Sequence, residues 1–304
     1  MRRTRGTQAR RGLLGIRRAR LFVSQHEPVL GTTLQIRVRA GSPQLAHALE
    51  QRLLDEIDHS ARVFSVFDPT SELARWRADE NDAQPGPELL HLLDAALHWQ
   101  AVGGGAFNPA VGVLAARWKQ AEVDDVVPSR EELAELARSI CSPRYRVDRG
   151  VVSKTGDCTQ LNFNALAKGM VVDIATARVI ETERPESLTV NIGGDLVHSG
   201  SGELVVGIED PLRAYDNGLP LVRVAITNAG MATSGSARRG FRIDGTWFSH
   251  VIDPTTGWPV DHVASASVIA PGAATADVVA TLLSVLEPTA GRGWSTRSPS
   301  RWPH

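Results

Sequence analysis

Residues Ser187–Asp195 read SLTVNIGGD, and the fold turns on them. Six residues rich in β-branched side chains run into two glycines, which predicts a strand over Ser187–Ile192 that ends at Gly193-Gly194. The neighbours on either side set the class. Upstream, Ala167–Thr182 has the length and composition of a helix. Downstream come five strand patterns: Leu204–Ile208, Val222–Thr227, Arg242–Ile243, Trp247–Ile252 and Ala264–Ala270. Asp244-Gly245 between two of them is a hairpin signal. No helix pattern interrupts them until Thr275–Leu286. Strands that follow one another without helical crossovers argue against a doubly wound sheet and for an α+β fold with mixed sheets and flanking helices.

The N-terminal half agrees. Phe22–Arg39 reads as two short strands around Gly31-Thr32-Thr33, and Thr33–Val38 (TLQIRV) alternates apolar and polar residues. Ser42–Phe64 reads as a long amphipathic helix with Ser42 as N-cap, Pro43 at its first position, and Leu45, Leu49, Leu53 and Ile57 on one face. Asp68–Ser71 is a turn poised to cap the next helix. Pro87–Val102 is helical and stops at three consecutive glycines, and Pro109–Gln120 is a further short helix. Asp124–Arg138 reads as a charged helical excursion, and Tyr145–Thr155 as a hairpin around Arg149-Gly150.

Charge is unevenly spread over the 304 residues. The first twenty carry eight arginines and no acid, which leaves 25 basic against 34 acidic residues in the rest, a net of −9. A body of that charge does not bind nucleic acid by bulk attraction. The expected organisation is a basic disordered leader over 1–21, one domain over 22–288 and a polar, aperiodic tail over 289–304. The leader also reads as an export remnant, a misplaced start or an arm for anionic surfaces. Its apolar piece, Gly12–Ile16, is shorter than the ~7–15 residues of a signal-peptide core. No stretch reaches the ~18 apolar residues of a membrane helix. The expectation is a cytoplasmic protein without an integral membrane segment. Cys141 and Cys158 lack metal-ligand spacing and read as buried thiols, with a single disulfide or a reactive thiol as the alternative.

Chemistry concentrates at a few places, each with a plainer reading beside it. Ser249–His262 (SHVIDPTTGWPVDH) crowds two His, two Asp, two Thr and a Ser around one turn. His250 has the ordinary pKa of a general base and stands among those groups; His262 reads as a packing or surface residue. Asp277 and Thr281 are four apart in an apolar helix, so they stack hard oxygen ligands on one face, or else cap the helix and fill the core. Lys168 beside Gly169 suits phosphate oxygens near a helix start, or is a surface lysine. Asn191–Asp195 admits a close ligand or is a tight turn. In Gly104–Gly112 (GGAFNPAVG), Phe107 offers a ring to stack on or belongs to the core, and Asn108 is a helix cap.

Together these segments resemble the ApbE family, the FAD:protein FMN transferases. The likeness runs from about Leu30 to Leu286. It is carried by LGTT (Leu30–Thr33), FSVFDPTSEL (Phe64–Leu73), GGAFNPAVG, ALAKGMVVD (Ala165–Asp173), VNIGGD (Val190–Asp195), ATSGSARRGF (Ala232–Phe241), SHVIDPTTGWPVDH and ATADVVATLL (Ala274–Leu283), in the family's order. The resemblance implies a T-fold-like scaffold and Mg2+ as cofactor. The implied activity attaches FMN from FAD, through its phosphate, to a Thr or Ser of a partner flavoprotein, with release of AMP. It implies that Asp277, Thr281 and the carbonyl of Ala165 hold the metal. The implied FAD contacts are Leu30, Phe67, Ala106, Phe107, Asn108, Asn162, Lys168, Val251 and Ala280. His250 would be the base that activates the acceptor hydroxyl. Two alternatives keep the same site: an FAD pyrophosphatase giving FMN and AMP, and a non-catalytic FAD-binding protein. The chain departs from the family's pattern where Asn162 replaces an Asp and Met170 an aromatic residue, and Gly291–His304 has no counterpart in it.

Overall fold

The computed structural model describes residues 19–79, 83–213, 218–236 and 239–286. A six-stranded antiparallel sheet forms the frame, in the order β1-β2-β5-β6-β9-β12. Its members are β1 (Arg20–Val29), β2 (Thr32–Ala40), β5 (Ser187–Ile192), β6 (Asp195–Gly200), β9 (Ala229–Gly235) and β12 (Ser265–Ala270). The helices are α1 (Pro43–Phe64), α2 (Glu72–Ala78), α3 (Pro87–Val102), α4 (Gly112–Asp124), α5 (Arg130–Ser139), α6 (Asn164–Glu183) and α7 (Ala273–Val285). Three hairpins complete the set: β3 (Tyr145–Asp148) with β4 (Val151–Lys154), β7 (Leu204–Ile208) with β8 (Val222–Ile226), and β10 (Gly240–Ile243) with β11 (Thr246–Ser249).

The α+β class is as expected, but every strand pairing among the described residues is antiparallel rather than mixed. Two-residue turns explain much of this. Leu30-Gly31 joins β1 to β2 and Gly193-Gly194 joins β5 to β6, both with positive φ at each turn residue. Such turns match the twist of adjacent antiparallel strands.

The core lies between this sheet and its helices. Leu34, Ile36 and Val38 of β2 and Leu188, Val190 and Ile192 of β5 are buried, as the period of two requires. Against them pack Leu49, Leu53 and Ile57 of α1, at helical spacing, and Val171, Val172 and Ala175 of α6. Ser42 and Ser71 cap α1 and α2 through their hydroxyls. A second, smaller apolar cluster, Leu196, Ile226 and Met231, seats the β7–β8 hairpin.

Some boundaries differ from the sequence reading. β1 begins at Arg20, inside the stretch read as leader; the remaining leader residues, apart from Ala19, and the 289–304 tail lie outside the described residues. α6 begins at Asn164, three residues before the expected start. β6 and β9 had not been anticipated. Gly200, Gly230 and Gly235 weaken their strand pattern, and their pairing with β5 and β12 decides the matter. Cys158 is buried but Cys141 is exposed, and neither is in a disulfide among the described residues. Among the described residues, no helix is long and apolar enough to cross a membrane.

Candidate active site

Helices α6 and α7 meet at a contact only glycine permits. A Cβ on Gly169 would stand 2.5 Å from the Cα of Ala274 and 2.6 Å from its nitrogen. Asp173, one turn further along α6, accepts hydrogen bonds from the N–H groups of Ala273 (2.7 Å) and Ala274 (2.9 Å). It thereby supplies the cap that Gly272 lacks a side chain to give. Burial pushes its carboxyl up to about 6, against the pull of both N–H donors. With the start of α7 clamped, Asp277 and Thr281 project from one face of it, four residues apart.

Both line a cleft of about 720 Å³, together with Ala165 and Lys168 of α6. Lys168 forms a close ion pair with Asp195, the first residue of β6. Its ammonium also stands 3.9 Å from Oδ2 of Asp277. Burial alone would lower the Lys168 pKa, but the Asp277 and Asp195 carboxylates outweigh it and hold the ammonium above its usual value. Asp277 is pushed well up by burial first and by the nearby Asp195 second, while Lys168 pulls it down.

Asp277 Oδ2 is buried and has no hydrogen-bond partner. A buried carboxylate oxygen without a hydrogen-bond donor is costly even with an ammonium nearby, and a bound cation offsets that cost. The carboxylate, the Thr281 hydroxyl and the Ala165 carbonyl share the cleft and are hard oxygen donors. Mg2+ takes few protein ligands of this type and keeps its remaining positions for water or phosphate, so the residues present fit it. No group of three or more His, Cys, Asp or Glu able to hold a metal occurs among the described residues.

His250 reaches the cleft from the loop after β11. Its Nδ1 donates to the carbonyl of Arg239 at 3.1 Å. In the neutral ring that leaves Nε2 as the acceptor. Loss of hydration in the cleft lowers the pKa of the ring, with smaller contributions from Arg239 and Lys168; the bond to the Arg239 carbonyl opposes them. The free base therefore persists below the usual histidine range.

The other polar groups of Ser249–His262 build the loop. Asp253 Oδ1 accepts from the amide and hydroxyl of Thr255, and Oδ2 from the hydroxyl of Thr256. Ser249 accepts from the Val251 amide. Trp118 Nε1 donates to the Gly257 carbonyl at 2.9 Å, and its ring packs among Phe241, Phe248 and Trp258. Arg130 lies over Trp258, 4.3 Å from the ring centroid. This aromatic box fixes the loop on α4 and leaves His250 turned to the cleft.

The structure brings together ten of the residues singled out in the sequence: Ala106, Phe107, Asn108, Asn162, Ala165, Lys168, His250, Val251, Asp277 and Thr281 all line the cleft. Phe107 is also part of the core, and Asn108 caps the short 3-10 turn Pro109–Val111 while donating to the Ile140 carbonyl. Asn162 accepts from the Asn164 amide and so supports the start of α6. Leu30, Phe67 and Ala280 stand apart from the cleft lining. Leu30 sits in the β1–β2 turn with φ 49°, Phe67 is 84% exposed, and Ala280 is fully buried in α7. Asn191, Gly193, Gly194 and Asp195 of the glycine-turn segment line it as well, and so do Thr32, Thr233 and Arg239, to which no role had been given. The two-glycine turn had marked Asp195 as part of a possible ligand contact, but not as the partner of Lys168.

The sequence profile of the ApbE family matches residues 30–301. The chain belongs to the ApbE family. Among curated relatives, the FAD:protein FMN transferase of Treponema pallidum is 30% identical over 287 residues, which covers 86% of this chain and 78% of that protein. The FAD:protein FMN transferase of Haemophilus influenzae is 28% identical, covering 87% and 80%. Among solved structures, the ApbE protein of Thermotoga maritima superposes with a TM-score of 0.76 at 27% identity, covering 91% of this chain and 89% of that one. A mutant of the flavin transferase ApbE from Vibrio cholerae gives 0.75 at 26% identity, covering 90% of each. The family match spans the cleft and the frame from β2 onward.

Proposed function

We propose that this chain is an FAD:protein FMN transferase that joins the FMN half of FAD to a Thr or Ser hydroxyl of an acceptor flavoprotein and releases AMP. The observation that carries the reading is the buried Oδ2 of Asp277, which has no hydrogen-bond partner, in the same cleft as Lys168 and His250. A cleft of about 720 Å³ is of ligand-binding size. Asp277, Thr281 and the Ala165 carbonyl would hold Mg2+, which when bound neutralises pyrophosphate charge. Lys168 contributes fixed positive charge toward phosphate oxygens. His250 Nε2 takes the proton of the acceptor hydroxyl as its oxygen bonds to the FMN phosphorus. The bond from that phosphorus to the bridging oxygen breaks, and AMP departs with the electron pair.

The test is mass spectrometry of the purified protein incubated with FAD and Mg2+, with and without an acceptor domain. An acceptor heavier by one FMN, together with AMP, supports the transferase. FMN and AMP without an adduct indicate a pyrophosphatase, and intact bound FAD indicates a binding protein; either result overturns the proposal.

A further inference from the structure

Lys168 faces two carboxylates and bonds to only one of them. Its hydrogen-bonded ion pair is with Asp195, whose side chain is 4% exposed; the Asp277 oxygen, at 3.9 Å, is within ion-pair range but is left without a hydrogen-bond donor. A lysine on a four-carbon stem has the freedom to reach either group. The β5–β6 turn decides between them. Gly193-Gly194 ends β5 and delivers Asp195 as the first residue of β6, inside the cleft. Asp195 pairs with Ile192 of β5, and the next residue, Leu196, pairs with both Asn191 of β5 and Met231 of β9. Asp195 is therefore a fixed anchor, whereas Lys168 is the mobile partner.

We propose that Asp195 is a positioning residue, which holds the Lys168 ammonium off Asp277 and so keeps the Asp277 carboxylate open for the divalent cation. The inference rests on the proposed metal site and adds a function for a residue outside the ligand set. Without the anchor, Lys168 closes on Asp277 and satisfies the same oxygen that the cation needs. The lysine then acts as an internal competitor. With the anchor, one ammonium serves the phosphate side of the cleft while its neighbouring carboxylate stays available.

The probe is Mn2+, followed by the loss of its free-ion electron paramagnetic resonance signal in the absence of FAD. Wild type, Asp195→Asn, Lys168→Met and the double variant are compared. Asp195→Asn weakens Mn2+ on the order of tenfold, the Coulomb change of bringing one unit charge from 3.9 Å into contact near a protein surface. Asp195→Glu, which keeps the charge, retains most of the affinity and serves if Asp195→Asn fails to fold. In the Lys168→Met background the Asp195→Asn change costs much less, because the competitor is gone. Equal losses in both backgrounds mean that Asp195 acts through its charge alone and overturn the proposal, as does unchanged affinity in Asp195→Asn. A wild type that takes up no Mn2+ removes the metal site itself, a different failure that is read before any variant is compared.

Discussion

Gly169→Ala is the substitution whose outcome is most tightly set by the geometry. In an open helix the change stabilises by about 1 kcal/mol, through propensity alone. Here the new Cβ meets Ala274 Cα at 2.5 Å, where ordinary contact begins at 3.4 Å, so the helices must part by about 0.9 Å. All the atoms it meets, on Ala273 and Ala274, are backbone, and Asp173 holds the same two amides, so no side chain swings aside to make room. Overpacking of this kind costs about 1–3 kcal/mol. Subtracting the propensity gain leaves a net loss of up to about 2 kcal/mol, or a fall in Tm of up to roughly 8 °C for a domain of this size. The same displacement moves Asp277 and Thr281 relative to Lys168 and Ala165, and a shift near 1 Å at a reacting centre costs about 100-fold in rate. Thermal unfolding followed by circular dichroism, and Mg2+-dependent FAD turnover well below Tm, measure the two effects separately. A variant with Tm raised above wild type, as propensity alone would give, and full turnover would refute the reasoning, since α6 and α7 would then not be in close contact.

Asp277→Ala abolishes Mg2+-dependent turnover, because it removes the one charged group of the proposed ligand set; undiminished Mg2+-dependent activity disproves the assignment. His250→Ala keeps FAD binding, measured by fluorescence titration, but slows transfer by ~10²–10⁴-fold, the usual contribution of a general base; normal turnover rules that role out. The pKa of His250 is lowered, so its base form prevails above that value and the wild-type rate is lost only as pH falls through it, below the usual 6.5. A single-turnover pH profile with an acid limb centred at or above 7 contradicts this. Asp173→Ala strips two α7 amides of their acceptor and costs about 1–3 kcal/mol, read from denaturant unfolding; a midpoint equal to wild type shows that the cap is dispensable.

Local patterns made much of the fold legible. Ser42 and Pro43 announce α1, Ser71 announces α2, and Arg149-Gly150 announces a hairpin, because caps and turns are set by residues close in sequence. β6 and β9 were missed because glycines dilute their pattern, and their partners lie far along the chain. Strand direction was likewise invisible, since register depends on those distant pairings. At the site, motif order picked out Asp277, Thr281, Lys168 and His250, and the cleft gathers them. The polar crowding around His250 was misleading: Asp253, Thr255 and Thr256 mostly bond to one another. Asn191–Asp195 stood out as a glycine turn, but the pairing of Asp195 with Lys168 did not, because that partner lies 27 residues away and nothing local to β6 records it.

The sheet order also constrains how the protein comes into being. β2 lies beside β5, nearly 150 residues later in the chain, and α7, the last described helix, packs on α6, β9 and β12. Such long-range pairings form slowly and late. During synthesis from the N-terminus, α6 can form with Lys168 in place while Asp277 has not yet been made. A nascent or C-terminally truncated chain therefore holds half a binding site and no transferase. Flavin occupancy reports completion of the whole fold, and flavin added during refolding stabilises only chains that have already docked their final helix.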